Sequence, residues 1–507
     1  MHVSNRLHSA VIAVLTLMML AACTNDRESM IVTAYQTSST GHQISKVAFP
    51  SDLNAALTLK IDPEMSFQEV IGIGGAFTQS TSHLLMGMSP QKRAEILSAY
   101  FTKEGAAYSF CRTHMNSCDF STHTYSYTPI PGDTALEHFS IERDFNDIIP
   151  IIKQAQSVAH REIKFLASPW TAAPWMKDNG AWNGGSLLPA YHQTWADFFV
   201  KYHRAYAAEG IPIWGYTVEN EPLGNNENWE SMHYTPASMS AFIKDYLGPT
   251  LEQNDVDAKV FVYDQNRGEE LKHWVDVMLK DSALLPYIDG TAVHWYSSTV
   301  DYFGPSLQYA HEAAPYLHLI HSEACIDAEV PVWKDDAWYW SKEATDWGYD
   351  WAKPENKKDH PKYVPTYRYA RDIMGCLNNR VEGWIDWNMV LDKQGGPNHA
   401  KNWCIAPVIV DTASDEVYYT PLYYILAQFS RFIEPGAKVI ESSLESEGMM
   451  ALAVKNPNDQ VVCYVLNMND EDADVTLQMK DKKFDTRVLA KSLQTLIIEE
   501  PKAKEIK

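Results

Sequence analysis

The chain has 507 residues, of which 45% are hydrophobic and 12% aromatic, enough to fill a large core and to exclude an intrinsically disordered protein. Its formal net charge at pH 7 is −23, and no basic stripe interrupts the acidic balance. This composition argues against nucleic acid or an anionic membrane surface as the ligand, whereas an uncharged ligand such as a sugar is compatible with it.

The N-terminal residues have the pattern of an export signal. Arg6 precedes an apolar stretch that is too short for a permanent transmembrane helix and that ends in two alanines and Cys23. This ending is similar to the bacterial lipoprotein signal, in which the cysteine is lipidated. We therefore expect a signal peptide at 1–22, followed by a polar, Ser/Thr-rich tether at 23–43. The protein would be an exported lipoprotein that contacts the membrane only through Cys23; the alternative is an ordinary signal with an incidental cysteine.

Eight short apolar runs, rich in β-branched and aromatic residues, alternate with helix-length segments along the middle of the chain. The runs are 70–73, 108–112, 163–167, 213–218, 259–263, 291–295, 317–321 and 381–387. Buried parallel strands have this composition, and eight of them alternating with helices predict an α/β fold, a closed (β/α)₈ TIM barrel at 67–432. Among the helices, Ser89 followed by Pro90 is typical of an N-cap with proline in the first turn.

The chain changes character after the barrel. Short alternating runs separated by Asn/Asp-rich turns predict an antiparallel β-sandwich domain at 433–507, which the strand-like segment 44–66 would complete. The six cysteines after Cys23 are scattered, with no CxxC pair and no metal-ligand spacing. We therefore expect no disulfide framework, no metal and no cofactor.

Two glutamates stand where a barrel enzyme places its chemistry. Glu221 follows the fourth apolar run and Glu323 follows the seventh. The C-terminal strand ends of a (β/α)₈ barrel carry the catalytic residues, and cleavage of a glycosidic bond requires a pair of carboxylates. Charged, amide and aromatic side chains follow the other strands. Because aromatic rings stack on sugar faces and carboxylates bind hydroxyls, this rim predicts a carbohydrate pocket.

Ten segments, in order along the chain, resemble glycoside hydrolase family 30, and most of all its glucosylceramidase branch. They are FQEVIGIGGAFT (67–78), RTHMNSCDFS (112–121), ASPWT (167–171), YHQTWA (191–196), ENEP (219–222), AVHWY (292–296), SEAC (322–325), GWIDWN (383–388), GGPN (395–398) and FSRFI (429–433). Each is short, but the ordered set is specific. The resemblance implies a barrel joined to a sandwich built from both ends of the chain, and hydrolysis with retention of configuration.

Carried over residue by residue, the resemblance makes Glu221 the general acid/base and Glu323 the nucleophile. The residues that it assigns to the first glucose subsite are Asp119, Trp170, Asn220, Trp387 and Asn402. The residues that it places around the two carboxylates are Arg112, His294 and Tyr296. An arginine beside Glu323 would favour the ionised form that a nucleophile needs, and Asn220 could bond the sugar 2-hydroxyl.

Several alternatives stay open. The segment 326–365 is longer than in the mammalian glucosylceramidase and rich in Trp and Tyr, which suits a glycan platform, a lid or a self-packed loop. Because related bacterial branches of the family cleave β-1,6-glucan, both a glucosylceramide-like lipid and a glucan are candidate substrates. A catalytically inactive lipoprotein that binds glycan is a rival, although two intact glutamates argue against it. A metal hydrolase that uses Asp264, His294 and Glu323 lacks a recognisable ligand spacing.

Overall fold

The computed structural model describes residues 30–224, 228–327, 330–342, 345 and 352–499. The predicted signal peptide and the lipidation site Cys23 lie outside these residues. No helix of the described part is long and apolar enough to cross a membrane.

Strands and helices alternate through the middle of the chain and strands alone follow at its end. The strands are β1 (Ile31–Ser38), β2 (Ser45–Val47), β3 (Leu57–Glu69), β4 (Gly72–Phe77), β5 (Phe110–Met115), β6 (Lys164–Pro169), β7 (Ile213–Thr217), β8 (Lys259–Asn266), β9 (Gly290–His294), β10 (His318–Glu323), β11 (Ile326–Asp327), β12 (Gly383–Asn388), β13 (Val390–Asp392), β14 (Cys404–Ile405), β15 (Val408–Asp411), β16 (Glu416–Tyr419), β17 (Lys438–Leu444), β18 (Met449–Lys455), β19 (Val461–Asn467), β20 (Ala473–Met479), β21 (Lys482–Val488) and β22 (Ser492–Glu499). The α-helices are α1 (Gln79–Gly87), α2 (Pro90–Phe101), α3 (Ile148–Val158), α4 (His192–Ala208), α5 (Pro236–Phe242), α6 (Gly248–Gln253), α7 (Glu269–Met278), α8 (Gly304–Ala313), α9 (Pro365–Asn378) and α10 (Pro421–Phe432).

Eight parallel strands close into a barrel in the ring order β4-β5-β6-β7-β8-β9-β10-β12. Each of the eight predicted runs overlaps one of them, so the predicted TIM barrel is confirmed. The strands extend farther toward their C-terminal ends than most of the apolar runs do; β10 reaches Glu323 and β12 reaches Asn388. The polar residues that follow the runs therefore lie together on one rim.

Apolar side chains fill the barrel below this rim. The largest of them, Phe110 and Phe261, share a cluster with Leu166, Ala292, Ile320 and Ile385. The two rings fit because other strands carry glycine beside them: a Cβ on Gly383 would lie 2.7 Å from the Phe110 ring, and a Cβ on Gly290 would lie 2.7 Å from the Phe261 ring. The lower barrel is thus a packed core that supports the rim rigidly.

The helices cover the outside of the barrel, and α2 begins as predicted. Ser89 Oγ accepts the backbone N–H of Lys92 at 3.2 Å, and Pro90 occupies the first turn. The buried faces of α2 and α4 contribute to the main apolar core, for example through Leu97 and Phe199.

A nine-stranded sheet forms the second domain, in the order β2-β1-β22-β19-β18-β17-β3-β20-β21. Neighbouring strands are antiparallel except for the parallel pair β3 and β20. Side chains from distant strands of this order, Ala34 on β1 and Val488 on β21, belong to one apolar cluster, so the sheet folds over on itself. The predicted β-sandwich is confirmed.

The predicted tether is wrong where it overlaps β1. This strand pairs with β22 along its whole length, from Ile31 opposite Glu499 to Ser38 opposite Ser492. The serines and threonines favoured a linker, but residues 31–38 also contain the β-branched and aromatic residues that strands prefer. The sandwich therefore starts before the expected residue 44, and β3 carries it past the expected end at residue 66.

The described part of the aromatic segment 326–365 packs on the protein. Tyr339 and Trp340 are buried. The rings of Trp333 and Tyr418 lie 5.8 Å apart between centroids, and those of Trp340 and Tyr367 lie 6.0 Å apart. These contacts hold this part against β16 and α9, which favours a structural role over a glycan platform. Trp347, Tyr349 and Trp351 of the segment lie outside the described residues.

Candidate active site

A cavity of about 500 Å³ opens at the C-terminal rim of the barrel. Eight predicted site residues line it: Asp119, Trp170, Asn220, Glu221, Tyr296, Glu323, Trp387 and Asn402. The other two, Arg112 and His294, lie behind the wall and contact its carboxylates. Further lining residues that the sequence analysis did not assign to the site are Gly224, Asn228, Trp229, Gln265, Asn266 and Cys325. The Cys325 thiol lies 3.1 Å from that of Cys404.

Glu221 follows β7 in a strained backbone conformation. Its φ angle is +49°, in the left-handed region that a non-glycine residue rarely adopts. Its backbone N–H donates to the carbonyl of Asp264 at 3.0 Å, and that of Asn220 donates to the carbonyl of Pro169 at 2.8 Å. Neighbouring strands therefore hold the strained turn in place, as is common where a side chain is aimed at a functional site.

Glu323 ends β10 at an irregularity of the barrel. The register between β10 and β9 shifts between His321 and Glu323, and such bulges redirect side chains at barrel rims. The carboxylate accepts hydrogen bonds from Arg112 Nη1 at 2.7 Å and from the Tyr296 hydroxyl at 3.0 Å. Glu323 is thus fixed from two sides at the cavity wall.

His294 lies between the two glutamates. Its Nδ1 is 3.4 Å from Glu221 Oε1 and 3.9 Å from Glu323 Oε1, so these oxygens are no farther apart than the sum of the two distances. Its Nε2 is 2.9 Å from Asp264 Oδ1. Burial alone would lower the pKa of His294, but the carboxylates of Glu323 and Asp264 raise it to about 9. The ring is therefore an imidazolium at neutral pH, placed where both glutamates interact with its charge.

Arg112 holds the site together from behind. Beyond Glu323, its guanidinium donates to Ser168 Oγ, to the carbonyl of Ser322, to Asn220 Oδ1 and, at 2.6 Å, to Asp264 Oδ2. Its Cζ lies 5.0 Å from the centroid of the Trp170 ring and 5.6 Å from that of Trp387, within cation–π range. These five hydrogen bonds, with the one to Glu323 included, use all five donors of the guanidinium.

Asp264 is the buried anion that balances these two cations. Burial alone would raise its pKa, but Arg112 and His294 outweigh burial and hold the pKa of Asp264 well below its usual range. Sequence reasoning noted Asp264 only at a strand end and in the metal alternative. Its oxygens are bound by Arg112 and His294 and accept hydrogen bonds from the hydroxyls of Thr217 and Ser322. The sequence feature that could have assigned Asp264 to the site is its position directly after the fifth apolar run.

Glu323 has a raised pKa because it is buried, and the neighbouring carboxylates of Glu221 and Asp264 add to that effect. His294 and Arg112 act in the opposite direction. The expected contact between Arg112 and Glu323 is present, but burial outweighs its influence on the pKa of Glu323.

The glutamate pair divides the rim into two lobes. Around the ring, β8 and β9 lie between β7 and β10 on one side, whereas β6, β5, β4 and β12 lie between them on the other. The first side carries Gln265, Asn266 and Tyr296, and we name it the amide lobe. The second side carries Trp170 and Trp387 with Asp119 and Asn402, and we name it the tryptophan lobe.

The tryptophan lobe combines stacked rings with a protonated acid. The rings of Trp170 and Trp387 lie 5.1 Å apart between centroids, at an interplanar angle of 20°. Burial and the nearby Glu323 raise the pKa of Asp119 to about 8, so at neutral pH this carboxyl group is largely protonated. Asn402 Nδ2 donates to Asp119 Oδ2 at 3.1 Å, and Asp119 Oδ1 has no hydrogen-bond partner among the described residues. Apolar faces beside a few oriented polar groups are what a sugar ring requires.

A (β/α)₈ barrel with paired glutamates at the rim of such a cavity defines a glycosidase. The family model for the TIM-barrel domain of glycosyl hydrolase family 30 matches residues 70–433, and the model for the β-sandwich domain of the same family matches residues 436–496. The chain belongs to glycoside hydrolase family 30.

Relatives of known name share most of the chain. The lysosomal acid glucosylceramidase of Mus musculus is 35% identical over 441 residues, which cover 84% of this chain and 80% of the mouse protein. The solved structure of SrfJ from Salmonella typhimurium superposes with a TM-score of 0.81 at 26% identity, covering 92% of this chain and 99% of SrfJ. A solved endo-β-1,6-glucanase superposes with a TM-score of 0.78, also at 26% identity, covering 92% of this chain and 99% of the glucanase.

Proposed function

We propose that the protein is a retaining β-glucosidase of the glucosylceramidase type. The observation that carries this proposal is the arrangement of Glu221 and Glu323, which come from β7 and β10 and share the imidazolium of His294. Because one oxygen of each carboxylate lies within 3.9 Å of His294 Nδ1, the two carboxylates are near neighbours, which is compatible with the ~5–5.5 Å separation of retaining enzymes.

The proposed reaction has two steps. Glu323, ionised and oriented by Arg112 and Tyr296, attacks the anomeric carbon while Glu221 donates its proton to the leaving oxygen. Glu221 then takes a proton from water, which attacks the anomeric carbon and releases Glu323. Asn220, held by Arg112, is placed to bond the sugar 2-hydroxyl, a contact that strengthens in the transition state.

The tryptophan lobe is proposed as the glucose subsite. Asn402 and Asp119, joined by a hydrogen bond in this lobe, offer an amide and a carboxyl group to the hydroxyls of one terminal glucosyl unit. The leaving group would then occupy the amide lobe. A ceramide-like aglycone is proposed from the similarity to the mouse glucosylceramidase.

A β-1,6-glucan is the second candidate substrate. Asn228 and Trp229 line the same cavity as the amide lobe, and amides with one tryptophan are a surface that suits a sugar as the leaving group. The similarity to a solved endo-β-1,6-glucanase supports the same candidate.

A substrate panel with product stereochemistry tests the proposal. Aryl β-glucoside, β-1,6-glucan, laminarin and glucosylceramide would be compared, and the anomer formed first would be identified by proton NMR. We expect hydrolysis of the aryl β-glucoside with the β-anomer formed first. Formation of the α-anomer first, or no hydrolysis of any β-glucoside, would contradict the proposal. Lipid anchoring at Cys23, with export to the periplasm or the outer-membrane surface, remains a second, separate proposal.

A further inference from the structure

A second acid–imidazole pair lies outside the catalytic carboxylates. Glu230, in the segment after β7, is only 1% exposed. His399 lies in the segment after β13, and its Nε2 is 3.2 Å from Glu230 Oε2. The pair therefore joins two loops of the barrel rim that are far apart in sequence.

The pair contacts both ends of the turn that carries Asp119. On one side, Ser117 Oγ donates to Glu230 Oε1 in a short hydrogen bond. On the other side, the Ser121 carbonyl lies 3.0 Å from His399 Nδ1 and accepts the backbone N–H of His399 at 3.2 Å. Asp119 is the central residue between Ser117 and Ser121, so the pair fixes the turn from both ends.

The loop of His399 also supplies the residue that contacts the Asp119 carboxyl group. Asn398 Oδ1 accepts the backbone N–H groups of Ala400 at 2.8 Å and of Asn402 at 3.3 Å, and Asn398 Nδ2 donates to the carbonyl of Asn402 at 2.9 Å. This internal bonding makes the loop a rigid unit. A shift of His399 would therefore displace Asn402 from Asp119.

We propose that Glu230 and His399 are positioning residues, which act through Ser117 and Ser121 to hold Asp119 against Asn402 and so set the affinity of the tryptophan lobe for its sugar. The identification of that sugar as glucose rests on the proposed function. Neither residue lines the cavity, so their effect on the sugar is transmitted by Asp119. The titratable groups that face His399 are Glu230, Asp119 and His123. Glu230 is buried, so the loss of its partner would be costly.

The test is a double-mutant cycle in which Asp119 is the second site. The probes are 1-deoxynojirimycin, a glucose-shaped iminosugar, whose dissociation constant is measured by calorimetry, and an aryl β-glucoside, for which KM and kcat are measured. We expect His399→Ala to weaken iminosugar binding about tenfold or more, the scale of a lost hydrogen bond to a charged group, with KM rising more than kcat falls. In the Asp119→Ala background the same change should alter binding by less than about twofold. Equal losses in both backgrounds, or no loss in either, would overturn the proposal.

Two further variants separate positioning from folding. Glu230→Gln preserves the shape of Glu230, and His399→Gln retains a donor toward Glu230, so both variants should fold. Their affinity for the iminosugar should lie between that of the parent and that of His399→Ala. The matched control is His318→Ala, which breaks a pair with Glu382 at the opposite end of the barrel and should leave binding unchanged. If the parent binds the iminosugar but hydrolyses no glucoside, the proposed function is wrong. The double-mutant cycle on iminosugar binding would then still test the positioning role of Glu230 and His399. If the parent does not bind the iminosugar, this inference is wrong as well.

Discussion

Replacement of Arg112 by methionine is the perturbation whose effects the structure defines most fully. Arg112 is fully buried and is the guanidinium partner of both Asp264 and Glu323. Breaking a buried ion pair by removing one partner typically costs about 3–5 kcal/mol, because it leaves an uncompensated buried charge. We expect Arg112→Met to lower the free energy of unfolding at pH 7 by about that amount.

The same variant should change the pH dependence in a defined direction. In the parent, the pKa of Asp264 is depressed, so its contribution to stability is complete above the unfolded carboxyl pKa of about 3.9 and is lost as pH falls through the folded value. Without the guanidinium, the pKa values of Asp264 and Glu323 should rise. The stability difference between parent and variant should therefore shrink as the pH is lowered, and the acid limb of kcat/KM, which reports Glu323, should move to higher pH.

Denaturant unfolding across pH and pH–rate profiles with an aryl β-glucoside measure both effects. Arg267→Met is the matched control, because Arg267 is also fully buried and paired, but with Asp372 away from the cavity. The control should lose comparable stability without moving the acid limb. The electrostatic role of Arg112 would be refuted if the free energy of unfolding of Arg112→Met lay within about 1 kcal/mol of the parent value and the acid limb of kcat/KM did not move.

Three other predictions follow from the site and from the N-terminus. In Glu221→Gln, azide should restore turnover of an aryl glucoside and yield the β-glycosyl azide, whereas the α-glycosyl azide from Glu221→Gln, or the β-glycosyl azide from Glu323→Gln, would mean that the two roles are reversed. The pKa of His294 is raised to about 9, so the contribution of its charge to stability is complete below the unfolded pKa of about 6.5 and is lost as pH rises through 9. Unfolding experiments should show this loss in the parent. The plot of unfolding free energy against pH should be flatter for His294→Gln. Cys23→Ala should move the protein from the membrane fraction to the soluble fraction, and unchanged fractionation would exclude the lipid anchor.

The barrel could be predicted from the sequence because its strands are buried on both sides. Such strands are continuous apolar runs, and all eight were identified. β1 was missed because its C-terminal residues Gln36, Thr37 and Ser38 are polar although they are buried. Its partner β22 lies more than 450 residues later, and pairing at that distance leaves no local pattern.

The predicted residues of the barrel site lie at one cavity because most of them stand at strand ends. Asp264 was not assigned to the site because its importance comes from Arg112 and His294, which reach it from β5 and β9. The pair of Glu230 and His399 was missed for the same reason, since only the folded rim brings their two loops together. The raised pKa of Glu323 also depends on burial, which motif spacing does not report.

Trapping of the covalent intermediate tests the central claim most directly. In a 2-deoxy-2-fluoro-β-glucoside the fluorine slows both steps, whereas a good leaving group speeds the first step. The glycosyl-enzyme therefore accumulates. The inactivated protein would be digested and its peptides sequenced by mass spectrometry. We predict one fluoroglucosyl group per chain, attached to Glu323. Attachment to Glu221, or turnover of β-glucosides with no trapped adduct and with inversion of configuration, would contradict the account.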